Sequence, residues 1–309
     1  MSRTASTEAA IELTAVLVAV TGEEPRVLTV EDGKALPSGP FESDHRTLQM
    51  GLRSWVERQT HHPLGYIEQL YTFADRDRRR DAGTGRVISI SYLGLTREGR
   101  ASGEHVPGWQ SWYRYLPWED WRSGKPPLVA RAIVPHLRRW AAAAADGAAR
   151  RARRQRIDAT FGGDDGTWNE ELVLQRYELL YEAGLVPESP QRGVGTPLAG
   201  EAMMLDHRRI LATGIARLRA KIKYRPVVFE LMPPSFTLLA LQRAVEALAG
   251  QRLHKQNFRR LVDQQGLVEE TGAVATATGG RPAKLFRFRR SIVAERAASG
   301  TKLPLARSP

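Results

Sequence analysis

Between Thr237 and Arg289 the sequence runs apolar helix, glycine, polar helix, glycine, arginine-rich hairpin, and few folds accept that order. Thr237 is placed to cap a helix reaching about Ala249, which Gly250 ends. A second helix covers about Leu253 to Gln265 and ends at Gly266. Strands over 267–274 and 283–289 surround the turn ATATGGRP. This order is a winged helix-turn-helix. On the second helix Phe258, Leu261 and Val262 face the core, with His254 on the same side. Gln256, Arg260, Asp263 and Gln264 point away, Asn257 and Arg259 flank them, and Lys255 stands near the start. Arg and Gln read base edges with paired hydrogen bonds, while Lys and flanking Arg neutralise phosphate. In the hairpin Phe286 and Phe288 alternate with Arg287 and Arg289, which puts the rings inward and the charges outward. Lys284 joins the outward set, and Arg281 at the turn is placed to enter a minor groove. The competing use of such a basic module is protein contact.

Charge distribution agrees with this reading. The net charge is 46 − 34 = +12, and the chain has no cysteine. That excludes disulfides, thiol nucleophiles and cysteine-ligated zinc. Residues 206–290 hold seventeen Arg/Lys against six Asp/Glu, and residues 131–156 hold eight Arg against one Asp. The remainder sums to about −6, so a basic module joins a mildly acidic domain. From Asp206 a helix turns Leu211, Ile215, Leu218 and Ile222 inward. Its other faces carry Arg208, Arg209, Arg217, Arg219, Lys221 and Lys223, of which Arg217 and Lys221 are expected on phosphate. The longest apolar run is too short to span a bilayer, and the N-terminus lacks the pattern of a secretory signal. The expected location is cytoplasmic, with no membrane partner.

The 309 residues leave room for a second domain. Residues 11–20 read as a strand and 26–31 as its hairpin partner. After the loop at 36–44 a helix is expected, with Ser43 or Asp44 as N-cap and Leu48, Leu52, Trp55 and Val56 on one face. Residues 66–73 and 87–95 are strands around a charged loop. Trp109, Trp112, Trp118 and Trp121 read as a packing strip in preference to a stacking site. An alanine–arginine helix covers 131–156, and its run RRARRQR either grips phosphate or is a solvated face. A helix near 168–183 buries Val173, Tyr177, Leu180 and Tyr181, and VVFELM (227–232) reads as a short strand.

The stretch from Gly39 to Thr60 has the spacing of a Nudix box, G-x5-E-x7-R-E-U-x-E-E-x-G-U with U apolar. Gly39, Arg53, Trp55 and Glu57 fit, whereas His45, Ser54, Arg58 and Thr60 replace two of its carboxylates, a third carboxylate and its final glycine. Hydrolysis of a phosphoanhydride needs several carboxylates to hold divalent metal, so no catalytic residue, no metal and no enzyme activity are expected. With QLYTFADRDR (69–78), DHRRIL (206–211) and FTLLALQ…LHKQNFRR…GRPAKLFRF (236–288), the chain resembles the NrtR-type, Nudix-related transcriptional regulators, and among them the longer NadQ-like regulators of NAD synthesis.

That resemblance implies an α+β chain: a degenerate Nudix-like α/β/α sandwich with a helical insertion, then a winged helix-turn-helix. The expected bounds are 8–121 for the sensing domain, 122–202 for the insertion, 203–224 for a linking helix, 225–292 for the DNA-binding domain and 293–309 for a flexible tail. It further implies a homodimeric repressor of NAD biosynthesis genes on double-stranded operator DNA, needing no cofactor and responding to ADP-ribose, NAD or ATP. Arg53, Glu57, Gln69, Arg76 and Arg78 are carried over as ligand-site candidates. Arg53 and Glu57, at i and i+4, alternatively just pair with each other. The rival function is an active Nudix hydrolase of ADP-ribose-like substrates tethered to a nucleic-acid-binding domain. It requires Glu42 and Asp44 to lie near Glu57.

Overall fold

The computed structural model describes residues 10–62, 64–74, 87–98, 108–162, 168–191, 200–275 and 282–291. The chain divides into two compact units, residues 1–231 with 244–252, and residues 232–243 with 253–309. Arg76, Arg78, Arg281 and the expected tail lie outside the described residues.

The first unit is built on the sheet β4–β5–β1–β2–β6. Its strands are β1 (Ala10–Thr21), β2 (Glu24–Thr29), β4 (Tyr66–Phe73), β5 (Val87–Leu95) and β6 (Gly108–Ser111), with β3 (Ser38–Pro40) beside β1. β1 and β5 run parallel and every other pair is antiparallel. β1 is buried on both faces from Glu12 to Ala19, as a central parallel strand should be. One face, Leu13, Ala15, Leu17 and Ala19, packs with Leu52 and Val56 of helix α1 (Leu48–Thr60). On the other face Val16 lies against Gly214 of α6 (His207–Ile222), where a Cβ would meet its Cγ1 at 2.9 Å. Helix, sheet and helix form three layers, and the helix expected to link two domains is itself one of them.

Local signals move several boundaries. Thr47 caps α1, its Oγ1 accepting the Met50 N–H at 3.1 Å. Ser43 and Asp44 do not, because Glu42–His45 forms a turn closed by the His45 N–H on the Glu42 carbonyl. Trp109, Trp112 and Trp118 are buried, as a packing strip requires; the last two follow β6 in α2 (Trp112–Tyr115) and in the turn Pro117–Glu119. The expected single helix over 131–156 is two: a π-turn at Val129–Ile133 leading into α3 (Val134–Ala142), then α4 (Gly147–Phe161). Pro135 has no N–H to donate inside a helix, which fits the wide turn before it. Asp146 starts α4 by accepting the Ala149 N–H at 2.7 Å. In α5 (Val173–Glu182) Tyr181 is 37% exposed, contrary to expectation, and Arg176 and Leu179 are buried instead. Val227–Leu231 is a 3-10 turn rather than a strand, opened by the Pro226 carbonyl accepting the Phe229 N–H. Val227, Val228 and Phe229 are buried in succession, without the alternation of a strand.

The unit boundary falls inside α7 (Leu238–Ala249), whose residues from Ala244 belong with the first unit. The second unit holds the start of α7, helix α8 (Lys255–Gln264) and the hairpin β7 (Val268–Ala275) with β8 (Ala283–Phe288). Thr237 caps α7 through the Ala240 N–H at 3.1 Å. Phe236 exchanges both backbone hydrogen bonds with Phe286, which ties the hairpin to the start of α7. Val262 is buried and Phe258 half-buried, but Leu261 is 48% exposed. It lies about 60° round the helix from Phe258, on the flank of the core stripe. His254 is exposed too; it precedes the first helical turn, so a helical projection does not place it.

Candidate functional site

The box segment is held by its own matched residues. The Trp55 ring lies on Gly39, where a Cβ would collide with it, and Trp55 Nε1 donates to the Pro40 carbonyl at 2.8 Å. Arg53 donates to the carbonyls of Leu64 and, at 3.2 Å, Gly65, so its guanidinium serves the loop before β4 rather than an i+4 pair. Glu57 is exposed on α1 and Gln69 is exposed on β4 at a bulge. Among the described residues, Glu42, Asp44 and His45 bring ligand atoms within 4.8 Å of one another, and Glu57 is not part of that group. His45 Nδ1 accepts the Glu42 N–H at 3.0 Å.

Helix α6 corrects the charge map drawn from the sequence. Its Arg208, Arg219 and Lys221 are buried, not displayed on outer faces. Lys221 pairs with Glu68 and donates to the Tyr66 hydroxyl at 2.9 Å, which removes it from the phosphate-contact set. Arg208 pairs with Glu188, Arg209 with Glu178 and Lys223 with Glu170 and Glu171. A helix covered by the sheet on one side and α5 on another must turn charged side chains inward, and each then requires an acid. Arg217 remains exposed.

Sequence reading missed the strongest of these pairings. Glu119 has no exposed surface and receives Arg176 at 2.6 and 2.8 Å and Arg219 at 2.6 Å. Burial alone raises a carboxyl pKa, yet the two guanidinium groups outweigh it and hold Glu119 below its ordinary value. Arg176 also donates to the carbonyls of Thr160 and Asn169, and Arg219 to those of Leu248 and Glu170. Tyr113 donates to the Ala247 carbonyl at 2.8 Å, and the Gly250 carbonyl accepts the Trp121 N–H at 2.7 Å. The last turn of α7 is thus fastened to the tryptophan strip, α6 and the segment before α5. Glu119 stands between Trp118 and Trp121 in a segment read only for packing, and nothing in its spacing marks it.

On α8 the side chains of Lys255, Gln256, Asn257, Arg259 and Arg260 are all exposed. In the hairpin Phe286 and Phe288 are half-buried and Arg287 is exposed, as alternation predicts. Arg287 pairs with Glu269 across the strands at 2.7 Å, and Lys284 with Glu270 at 2.8 Å. Their charges are partly met within the wing, whereas those on α8 face solvent.

Residues 228–288 match the family model described as the NrtR DNA-binding winged helix domain. The ADPR responsive transcriptional repressor NtrR of Acinetobacter baylyi is 43% identical over 86 residues. The winged helix domain of this chain is thus of the NrtR type. That match covers 28% of this chain and 34% of the Acinetobacter protein, about a third of the relative's length. Among solved structures, Shewanella oneidensis NrtR has a TM-score of 0.53 at 19% identity, over 92% of this chain and 96% of that one. The same protein complexed with a 27mer DNA has 0.51 at 22%, over 92% and 95%. A MutT/nudix family protein from Enterococcus faecalis has 0.50 at 14%, over 94% and 90%. These likenesses establish the fold of the chain, a Nudix-like domain with a helical part followed by a winged helix.

Proposed function

We propose that the chain is a transcriptional repressor that binds operator DNA through α8 and the β7–β8 wing, and that its Nudix-like domain senses ADP-ribose. The carrying observation is the winged helix match over 228–288, with the polar side chains of α8 all facing solvent. The name of the Acinetobacter relative favours ADP-ribose among the three effectors considered. Arg260 and Gln256 read bases; Lys255, Asn257, Arg259, Arg281, Lys284, Arg287 and Arg217 contact the backbone or the groove. Glu57, Gln69, Arg76 and Arg78 remain the ligand candidates, with Arg53 shaping the loop before β4. The genes of NAD synthesis are the proposed targets, and a homodimer the proposed assembly.

The test is binding of the full chain to the upstream regions of NAD-synthesis genes, titrated with ADP-ribose, NAD and ATP. The reading expects a selective complex whose affinity changes with ADP-ribose. Equal affinity for random duplex, or indifference to all three nucleotides, refutes its DNA half or its sensing half respectively. Incubating ADP-ribose with the protein and Mg²⁺ or Mn²⁺ should leave it intact; turnover on the order of 1 s⁻¹ or faster establishes the hydrolase instead.

A further inference from the structure

The insertion carries a second charged surface that the winged helix does not account for. Of the eight arginines between 131 and 156, Arg153 donates to the Trp140 carbonyl at 2.9 Å and lies over its ring, and Arg156 pairs with Glu182 at 2.6 Å. These two hold α4 to its neighbours. Arg150, Arg151 and Arg154 do not share that role. They are exposed, they fall within about 100° of arc on α4, and no acid among the described residues pairs with them. The one acid in the segment, Asp146, is occupied as the helix cap. Asp158, one turn beyond Arg154, makes no ion pair with it. Arg150 and Arg151 also sit near the N-terminal end of α4, where the helix dipole disfavours positive charge. Such a helix gains nothing internally from these charges, so an external anion explains them better.

We propose that this face of α4 is a sequence-independent contact for the phosphate backbone of duplex DNA. It goes beyond the base-reading role given to α8 and rests on the DNA reading only for the choice of polyanion. The surface chemistry narrows that choice. Gly147 shares the arc of these arginines near the start of the helix and permits close approach to a backbone, Ala148 and Gln155 flank the arc as small or neutral side chains, and Asp158 bounds it at the far end. No large apolar side chain is exposed on α4, so it lacks the inserted face of a membrane-surface helix. The ring of Trp140, on the adjoining α3, is covered by Arg153, which removes it as a stacking platform for single strands.

The experiment is the salt dependence of full-chain binding to a random-sequence duplex, for three proteins. One is the wild type. One is Arg150→Gln/Arg151→Gln/Arg154→Gln. The third is Lys34→Gln/Arg46→Gln/Arg225→Gln, which removes three exposed charges scattered over the same unit. Each backbone contact adds about 0.9 to the slope of log K against log salt, so the α4 variant should lose roughly two to three units and the scattered control far less. Equal losses in the two variants overturn the proposal, since net charge alone then suffices. Unchanged duplex binding in the α4 variant, with loss of binding to single-stranded RNA or to anionic vesicles, overturns it in favour of that partner. Repeating the titration with Arg260→Ala separates this surface from the recognition helix. A slope still lost on removing the α4 arginines upholds the patch even if α8 proves not to read bases.

Discussion

Glu119 and Arg260 illustrate how differently a charged residue acts when water is removed from it. Glu119 neutralises two buried guanidinium groups, and removing one partner of such a cluster leaves charge uncompensated, at a cost of about 3–5 kcal/mol. Glu119→Gln should lower stability by that order in chemical denaturation, with Trp168, whose ring lies by both arginines, as a fluorescent reporter. Because the folded-state pKa of Glu119 is depressed, its contribution is present above the unfolded value near 4.5 and is lost as pH falls through the folded value. The wild type should therefore lose stability in acid more steeply than the Gln variant; parallel acid profiles would refute the assignment. Arg260 has the opposite character, being exposed and set to meet a ligand. Arg260→Ala should cost roughly 1–3 kcal/mol on the operator and much less on random duplex. Arg217→Ala should weaken both alike and reduce the salt slope by about one unit. If Arg260→Ala lowers both affinities in parallel, α8 does not read bases in the register assigned. Alternation and helical spacing made Arg260 legible in the sequence; no local pattern reveals a partner 57 or 100 residues away, as for Glu119.

At the scale of elements, what could be read was whatever local chemistry dictates. Thr237 as a cap, the strands at 66–73 and 87–95, and the stripe of Leu48, Leu52 and Val56 follow from side chains a few residues apart. The break between α3 and α4 was masked by alanine and arginine, both strong helix formers, although Asp146 and Pro135 were available as signals. The cap at Asp146 is the point at which local chemistry overrides that propensity. Asp146→Ala should destabilise the chain by about 0.5–2 kcal/mol, checked by urea denaturation, while leaving operator affinity unchanged. No loss of stability would mean that α4 starts where it does for reasons of packing alone. Helix α6 shows the limit more sharply. Its hydrophobic spacing was read correctly, yet a stripe at i, i+4, i+7 describes one covered face, and this helix is covered on several. Ile210, Ala212 and Gly214 are buried as well, so its cations had to find acids in the sheet and the insertion.

For the whole molecule, the segment-by-segment charge count placed several cations on the surface that the fold turns inward. Five of the cations counted in the basic C-terminal third, Arg208, Arg209, Arg219, Lys221 and Lys223, pair with acids counted in the rest of the chain. What that third still turns outward includes the exposed face of α8, the wing, Arg217 and Arg225, and the arginines of α4 add a second cluster. One recognition helix reads few bases, so a single chain has a small specific footprint. Two chains related by a two-fold axis double it and match a palindromic site with half-sites about 34 Å apart, or a multiple of that. The expected outcome is a dimer in sedimentation at working concentration, and one dimer per palindromic duplex in a stoichiometric titration. Dividing the operator should then reduce affinity far more than twofold, because each half-site loses the partner helix. A monomer that binds one half-site with the full affinity of the palindrome would remove the dimer from the reading and would place the missing binding energy on backbone contacts within a single chain.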